Sequence, residues 1–136
     1  QDILEVLLVK IVREAAVSMR IVQPPSKSKE CAAAKRYIDE NFSENITLDK
    51  LAEITHVNKY YLSHTFQREY NTSPINYLLN RRITESKALL TSTDFSLTQI
   101  SEQMGFSSPA YFSQSFRRFT GQSPLEYRRK NQPGKK

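Results

Sequence analysis

Apolar residues recur every three or four positions between residues 73 and 91, which is the spacing of one face of an α-helix. Ser73 is a favourable N-cap, and Pro74 suits the first helical position because its missing N–H would have no partner there. No glycine and no further proline interrupts this segment. The pattern therefore predicts one long central helix, flanked on both sides by similar sets of apolar positions.

The flanking stretches, residues 47–78 and 96–128, repeat one pattern of apolar and polar positions. Leu51 and Ile100 correspond at an offset of 49, and positions after the next turn correspond at an offset of 50. One residue inserted in the turn of the second copy explains the change of offset. Two copies are fewer than the three or so repeats that a solenoid needs, so we predict two similar small units joined by a rigid helix.

Each copy divides into two short helices joined by a turn of three or four residues, which is the helix-turn-helix arrangement. In the first copy, Asn58 is the predicted N-cap of a second helix at about residues 59–70. In the second copy, Gly105 is placed to end the first helix in a left-handed conformation, and the second helix is predicted at about residues 109–120.

The chain before the repeat is predicted to form a separate element. Residues 1–20 carry a wide apolar stripe on a predicted amphipathic helix, and their charged residues argue against a membrane span. We interpret this helix as part of a sensor or dimerisation domain; the alternative is a helix packed on the chain's own repeat. Residues 21–30, with a Pro-Pro pair, are the predicted linker. The double unit is then predicted at 31–131 and a basic tail at 132–136.

Composition and charge favour a helical protein with an acidic partner. The 136 residues include only three glycines and six prolines, which argues against a β-sandwich or a disordered chain. The net charge of +6 suggests nucleic acid as the first candidate partner. The single cysteine, Cys31, excludes an internal disulfide and is interpreted as a small core residue.

No pattern of catalytic or metal-binding residues stands out. His56 and His64 have no cysteine or carboxylate at metal-ligand spacing, and the chain lacks a glycine-rich phosphate loop and a G-x-S-x-G motif. We therefore predict that the chain is not an enzyme and needs no metal or cofactor. A helical protein-interaction module without DNA binding stays open as the alternative function.

The second copy carries a dense motif, which reads ISEQMGFSSPAYFSQSFRRFTGQSPLEYR from Ile100 to Arg128. This motif, with the matching positions of the first copy, resembles the AraC/XylS family of bacterial transcription regulators over about residues 34–129. The first copy departs from the family pattern at Asn71, where glycine is common, but asparagine tolerates the left-handed conformation.

The resemblance implies an all-α fold of about seven helices, in which two helix-turn-helix units flank the central helix. It implies a cytoplasmic transcription regulator, an activator or a repressor, that binds double-stranded DNA without a membrane segment. The binding would use two recognition helices in adjacent major-groove segments. Residues 1–20 would be the last helix of a sensor or dimerisation domain. RNA polymerase, and a second copy of the chain bound through residues 1–20, stay open as further partners.

Candidate DNA contacts lie on the outward faces of the two predicted recognition helices. By motif match to the family, the base-reading positions are Tyr60, Ser63, His64, Ala110, Ser113 and Gln114. The candidate phosphate contacts are Lys59, Gln67, Arg68, Arg117, Arg118 and Arg128. Gln114 suits a bidentate contact to adenine, and His64 suits a guanine acceptor.

Two further pairs of residues lie outside this set. Tyr61 and Tyr111 are ambiguous between the edge of the core and the DNA groove. Arg81 and Arg82 are predicted to brace the two units against the central helix rather than to bind DNA.

Overall fold

The computed structural model describes residues 28–134, which form seven α-helices and contain no strand. The helices are α1 (Lys29–Asn41), α2 (Leu48–Thr55), α3 (Lys59–Tyr70), α4 (Pro74–Ser92), α5 (Leu97–Met104), α6 (Pro109–Thr120) and α7 (Pro124–Asn131). The all-α fold with a long central helix is thereby confirmed. The amphipathic helix predicted at residues 1–20 lies outside the described residues.

Helix α1 begins earlier than the sequence predicted, so the last residues of the predicted linker belong to the domain. The Ser28 hydroxyl accepts hydrogen bonds from the backbone N–H groups of Glu30 and Cys31 and so caps α1. The Ser28 backbone N–H in turn donates to both carboxylate oxygens of Glu69, each at 2.9 Å, at the end of α3. This long-range contact fixes the start of α1 and has no signal in the local sequence.

The two helix-turn-helix units, α2–α3 and α5–α6, have matching helix lengths of 8 and 12 residues. His56 and Gly105 end α2 and α5 at equivalent positions, and both adopt the left-handed conformation. Asn71 and Gly121 do the same at the ends of α3 and α6, as predicted for Asn71. The repeat seen in the sequence is therefore also a repeat of backbone conformation.

Each unit has its own apolar core, and α4 belongs to both. The core of the first unit contains Cys31, Ala34, Ile38, Ile46, Leu51, Ala52, Leu62, Phe66 and Leu78. The core of the second contains Leu79, Ile83, Leu90, Ile100, Met104, Phe106, Phe112 and Phe116. Consecutive residues of α4, Leu78 and Leu79, thus face different cores, and the half-buried Phe42 and Ile75 pack against both.

The start of α4 packs on the core of the first unit in the same way as α7 packs on the core of the second. The ring centroid of Tyr77 lies 6.0 Å from that of Phe66, and the centroid of Tyr127 lies 5.5 Å from that of Phe116. Both pairs meet edge to face, the arrangement that aromatic rings favour. The hydroxyl of Tyr77 also donates to Asp39 at 2.6 Å, which ties α4 to α1.

The predicted brace at Arg81 and Arg82 is present for the first unit. Arg82 is 5% exposed, and its guanidinium donates to the carbonyl oxygens of Phe42 and Glu44 in the loop after α1. Arg81 bonds Asp39 on α1 and Glu85 on α4. Both arginines therefore hold the first unit against the central helix.

Candidate nucleic-acid interface

Buried aromatic and aliphatic residues fix the orientation of α3 and α6. Leu62 and Phe66 on α3 are completely buried, as are Phe112 and Phe116 at the equivalent positions of α6. Because these residues are four apart, one face of each helix is committed to its core, and the opposite face points away from it. The exposed faces of α3 and α6 together form the candidate nucleic-acid interface.

The predicted base-reading residues lie on these two faces. Tyr60, which is 72% exposed, His64, Ala110 and Gln114 are exposed. Ser63 and Ser113 are half-buried at equivalent positions beside the core face. The three predicted residues of α3 and the three of α6 therefore occupy equivalent helical positions. Five of these six side chains can donate or accept hydrogen bonds.

The exposed cations and amides of the phosphate prediction lie on the last turns of α3 and α6. They are Gln67, Arg68, Arg117 and Arg118. The Arg117 guanidinium lies 3.8 Å from the Glu126 carboxylate, and Arg118 donates to the Asn76 side-chain oxygen at 2.6 Å. Exposed ion pairs such as the first contribute little to stability, so a phosphate can replace the carboxylate at low cost.

Lys59 begins α3 and is held by a neighbouring helix. Its ammonium lies 3.1 Å from the Asp49 carboxylate on α2, and this hydrogen bond raises the pKa of Lys59 above its usual value. The ammonium also lies 5.8 Å from the centre of the Tyr60 ring. Lys59 is therefore fully charged at neutral pH and stands next to the most exposed aromatic ring of α3.

Arg128, predicted as a phosphate contact, has a structural role at the end of the central helix. Its Nε donates to the Leu90 carbonyl at 3.0 Å, and one terminal nitrogen donates to the Thr93 carbonyl at 3.2 Å. These carbonyls belong to the last turn and the C-cap of α4, where helical partners are missing. Arg128 thus closes the end of the central helix, and its phosphate contact stays a prediction.

Between residues 28 and 134, no group of three or more His, Cys, Asp or Glu side chains is arranged to hold a metal ion. Within the same range, none of the helices has the length and apolar character needed to cross a membrane. The only cysteine of the chain, Cys31, is buried, and burial raises the pKa of its thiol.

Comparison with known proteins agrees with this geometry. A family model described as a helix-turn-helix domain matches residues 51–130. The HTH-type transcriptional regulator YdiP of Escherichia coli K12 is 41% identical over 93 residues, which are 68% of this chain and 31% of that protein. The chain spans only 31–40% of the length of the first curated relatives.

Two solved structures share the fold. The C-terminal domain of the response regulator AraT from Geobacillus stearothermophilus is 33% identical with a TM-score of 0.75, over 79% of this chain and 90% of that chain. The DNA-binding domain of AdpA, solved in complex with a target DNA, is 25% identical with a TM-score of 0.69, over 73% of this chain and 89% of that one.

The chain belongs to the AraC/XylS family of transcription regulators. The described residues are the sequence-specific DNA-binding domain of this family. The family membership predicted from the motif at residues 100–128, and the DNA-binding function that it implied, are confirmed.

Two tyrosines that the sequence left ambiguous reach the surface of this AraC/XylS domain. Tyr61 is 48% exposed and Tyr111 is 39% exposed, so both border the exposed faces of α3 and α6. The ring of Tyr111 also meets the Phe106 ring edge to face at 5.6 Å. The sequence indicated that Tyr61 and Tyr111 are equivalent, because both copies of the repeat have tyrosine there. The helical pattern places this position on the border between the buried and the exposed face of the helix, so it could not show which face the ring occupies.

Asn76 supports the candidate interface of this AraC/XylS domain through a contact that the sequence did not reveal. It lies at the start of α4 and orients Arg118 of α6 through the hydrogen bond described above. The two residues are 42 positions apart, and neither belongs to the helix pattern of the other. Only the packing of α6 against α4 brings them together.

Proposed function

We propose that one chain binds duplex DNA by placing α3 and α6 in two consecutive major-groove segments on one face of the duplex. An α-helix fits the major groove, where each base pair presents a distinct pattern of donors and acceptors. The observation that carries the proposal is the equivalent exposure of Tyr60, Ser63 and His64 on α3 and of Ala110, Ser113 and Gln114 on α6. We assign these six residues to base contacts.

Phosphate contacts follow from Lys59 at the start of α3 and from the polar and cationic side chains in the last turns of α3 and α6. We assign Lys59, Gln67, Arg68, Arg117 and Arg118 to the DNA backbone. Such contacts orient the protein on the duplex but carry no sequence information themselves. Tyr61 and Tyr111 join the interface as apolar or phosphate contacts, because each offers a ring and a hydroxyl at the exposed surface.

The wider role of the protein is also part of the proposal. The family and the exposed basic helices support a transcription regulator that works in the cytoplasm. Activation through contact with RNA polymerase while the chain is bound to DNA is part of the proposal, with repression as its alternative. The domain is proposed to act without enzymatic activity of its own, since its exposed polar groups are arranged along two helices as DNA contacts require. Self-association through residues 1–20 is proposed from the apolar stripe of that segment.

The test is binding to a site selected from a random duplex pool, measured at several salt concentrations. We expect a shifted duplex whose affinity falls steeply with salt, and no comparable complex with single-stranded RNA. A control duplex of scrambled sequence should bind only weakly. Equal binding to selected and scrambled duplexes would overturn the proposed reading by α3 and α6, and no binding to either would favour a protein-interaction module.

A further inference from the structure

The two helix-turn-helix units touch each other directly, in addition to sharing α4. We call this contact the inter-unit seam and define it by residues 42–44 after α1, Arg82 of α4, and Gly105 and Phe106 between α5 and α6. Arg82 lies at its centre. Its Nε donates to the Phe42 carbonyl at 2.6 Å, and a terminal nitrogen donates to the Glu44 carbonyl at 2.7 Å.

The other side of the Arg82 guanidinium faces the second unit. Its central carbon lies 5.5 Å from the centre of the Phe106 ring, within the range of a cation–π contact. A Cβ atom at Gly105 would lie 3.1 Å from a terminal nitrogen of Arg82 and only 2.5 Å from the carbonyl oxygen of Ser43. One side chain of α4 therefore contacts the first unit and the second unit at once.

Glycine is required at position 105 by the contact with Ser43 across the seam and not by the conformation of the turn. The equivalent residue of the first unit is His56, which adopts the same left-handed conformation with φ of 61°. A side chain is therefore accepted at this cap position of the repeat. At Gly105 the approach of Ser43 leaves no room for one. The glycine marks a backbone-to-backbone contact between the units.

Arginine suits this position for reasons that lysine does not meet. The planar guanidinium can send parallel donors to two carbonyls and still lay its face on an aromatic ring, whereas an ammonium is a point charge without a face. Both acceptors are backbone carbonyls, whose positions are set by the chain rather than by a rotatable side chain. Arg82 therefore restrains the loop after α1 relative to the turn that leads into α6.

We propose that Arg82 is a positioning residue, which fixes the orientation of α6 relative to α3 and so determines the spacing of the two DNA segments that one chain accepts. The inference rests on the proposed function, because it concerns the same two recognition helices. One base pair changes the separation of two segments by about 3.4 Å and their angle by about 35°. A pair of units locked at the seam cannot follow such a change. Without the seam, each unit is held by its packing on α4 and can shift against that helix toward the new spacing.

The experiment measures affinity against spacing. From the selected site, duplexes are made with zero, one or two base pairs added or removed between the two segments, and with each segment alone. The variant is Arg82→Lys, and the matched control is Arg81→Lys, since the ion pairs of Arg81 are with Asp39 of α1 and Glu85 of α4, neither of which belongs to the inter-unit seam. Circular dichroism melts confirm that each protein is folded.

We expect the wild type and Arg81→Lys to lose about tenfold or more in affinity for each one-base-pair change of spacing, a difference of about 1.4 kcal/mol. Arg82→Lys should lose less than about threefold for the same change and keep the wild-type affinity for single segments. If Arg82→Lys does not fold, Phe106→Leu removes the ring beneath the guanidinium and should broaden the spacing preference in the same way.

Two results would overturn the inference while leaving the proposed function intact. One is an unchanged spacing preference in Arg82→Lys or, where that variant is unfolded, in Phe106→Leu. The other is an equal loss of affinity for single segments and for the complete site, which would indicate general destabilisation. Failure of the wild type to prefer the selected duplex would instead contradict the proposed function itself.

Discussion

At the scale of single residues, four arginines of this domain occupy two distinct settings. Arg82 and Arg128 donate to backbone carbonyls of neighbouring segments, so their removal would leave acceptors without partners. Arg68 and Arg117 are exposed and pair only loosely with carboxylates, at 3.9 and 3.8 Å. The same residue type therefore stabilises the fold in the first setting and is available to phosphates in the second.

Exposed cations and exposed amides should affect DNA binding differently. Arg117→Ala is expected to weaken binding to all duplexes and to reduce the salt slope by about one unit, because it removes one phosphate contact. Gln114→Ala should leave the salt slope unchanged and relax the preference at one or two base pairs, at a cost of about 1–3 kcal/mol. Titrations at several salt concentrations against a panel of single-base variants measure both effects. If both variants changed only general affinity, the assignment of the reading face would be wrong.

Two glycines with the same backbone conformation should tolerate alanine unequally. Gly105 and Gly121 have φ of +92° and +82°, where alanine costs about 1–2 kcal/mol. A Cβ atom added at Gly121 would meet no neighbouring atom within 4 Å, whereas one at Gly105 would lie against the Ser43 carbonyl. Gly105→Ala should therefore lower the free energy of unfolding at least about twice as much as Gly121→Ala. Urea denaturation measures the difference, and equal losses would contradict the close contact at the seam.

At the scale of the helices, two helices of the second unit use the same N-terminal cap with different chemistry. Ser96 and Gln99 form a capping box at the start of α5, and Ser123 and Glu126 form one at the start of α7. The backbone N–H of Ser123 donates to the Glu126 carboxylate at 2.8 Å and lowers the pKa of that group. The amide of Gln99 accepts the equivalent bond and carries no titratable proton.

The start of α7 should therefore lose stability in acid, while the start of α5 should not. Because the folded-state pKa of Glu126 lies below its ordinary value of 4.5, the stabilisation is complete above that value and disappears as the pH falls through the folded-state pKa. Amide chemical shifts of Ser123 and Ser96, followed by NMR between neutral and acidic pH, measure the two ends. Glu126→Gln should abolish the titration at Ser123, and a titration that survives this change would disprove its origin in the capping box.

Helices and caps could be predicted from the sequence because their signals are local. The central helix, predicted between residues 73 and 91, is observed at Pro74–Ser92, and Asn58 caps α3 as expected. Contacts between distant segments had no such signal. Arg128 lies in a basic helical pattern that suggested phosphate binding, yet its acceptors lie 35 and 38 residues earlier in the chain. The exposed residues of the candidate site could be predicted from the sequence, because they depend only on which face of a helix they occupy. The contacts of Arg128 could not, because they depend on the packing of distant segments.

At the scale of the whole molecule, the order of the two units is set by the chain. Helices α2–α3 and α5–α6 follow each other in the same direction, and each is completed by the helix after it. The central helix has 19 residues, which at about 1.5 Å each span roughly 28 Å. This length suits two recognition helices about one DNA turn apart, or roughly 34 Å. The arrangement predicts a head-to-tail repeat of contacts along the DNA.

The site bound by one chain should accordingly be asymmetric and extend over about 15–20 base pairs. The equivalent reading residues differ at two of three positions, Tyr60 against Ala110 and His64 against Gln114, while Ser63 and Ser113 agree. The two segments must then differ in sequence and have a fixed order. Exchanging the segments, or inverting one of them, should reduce footprinting protection to a single segment.

The head-to-tail arrangement can also be tested by a double substitution in the protein. Ala110→Tyr combined with Gln114→His gives α6 the three reading residues of α3, both changes being at exposed positions that leave the core intact. Selection from a random pool with this variant should recover a direct repeat of the α3 segment, because the two units follow each other in one direction. Ala110→Ser with Gln114→Asn serves as a control that changes the same positions without copying α3. A palindromic site for the α3-like variant would contradict the head-to-tail arrangement, and an unchanged asymmetric site would show that other residues of α6 read the DNA.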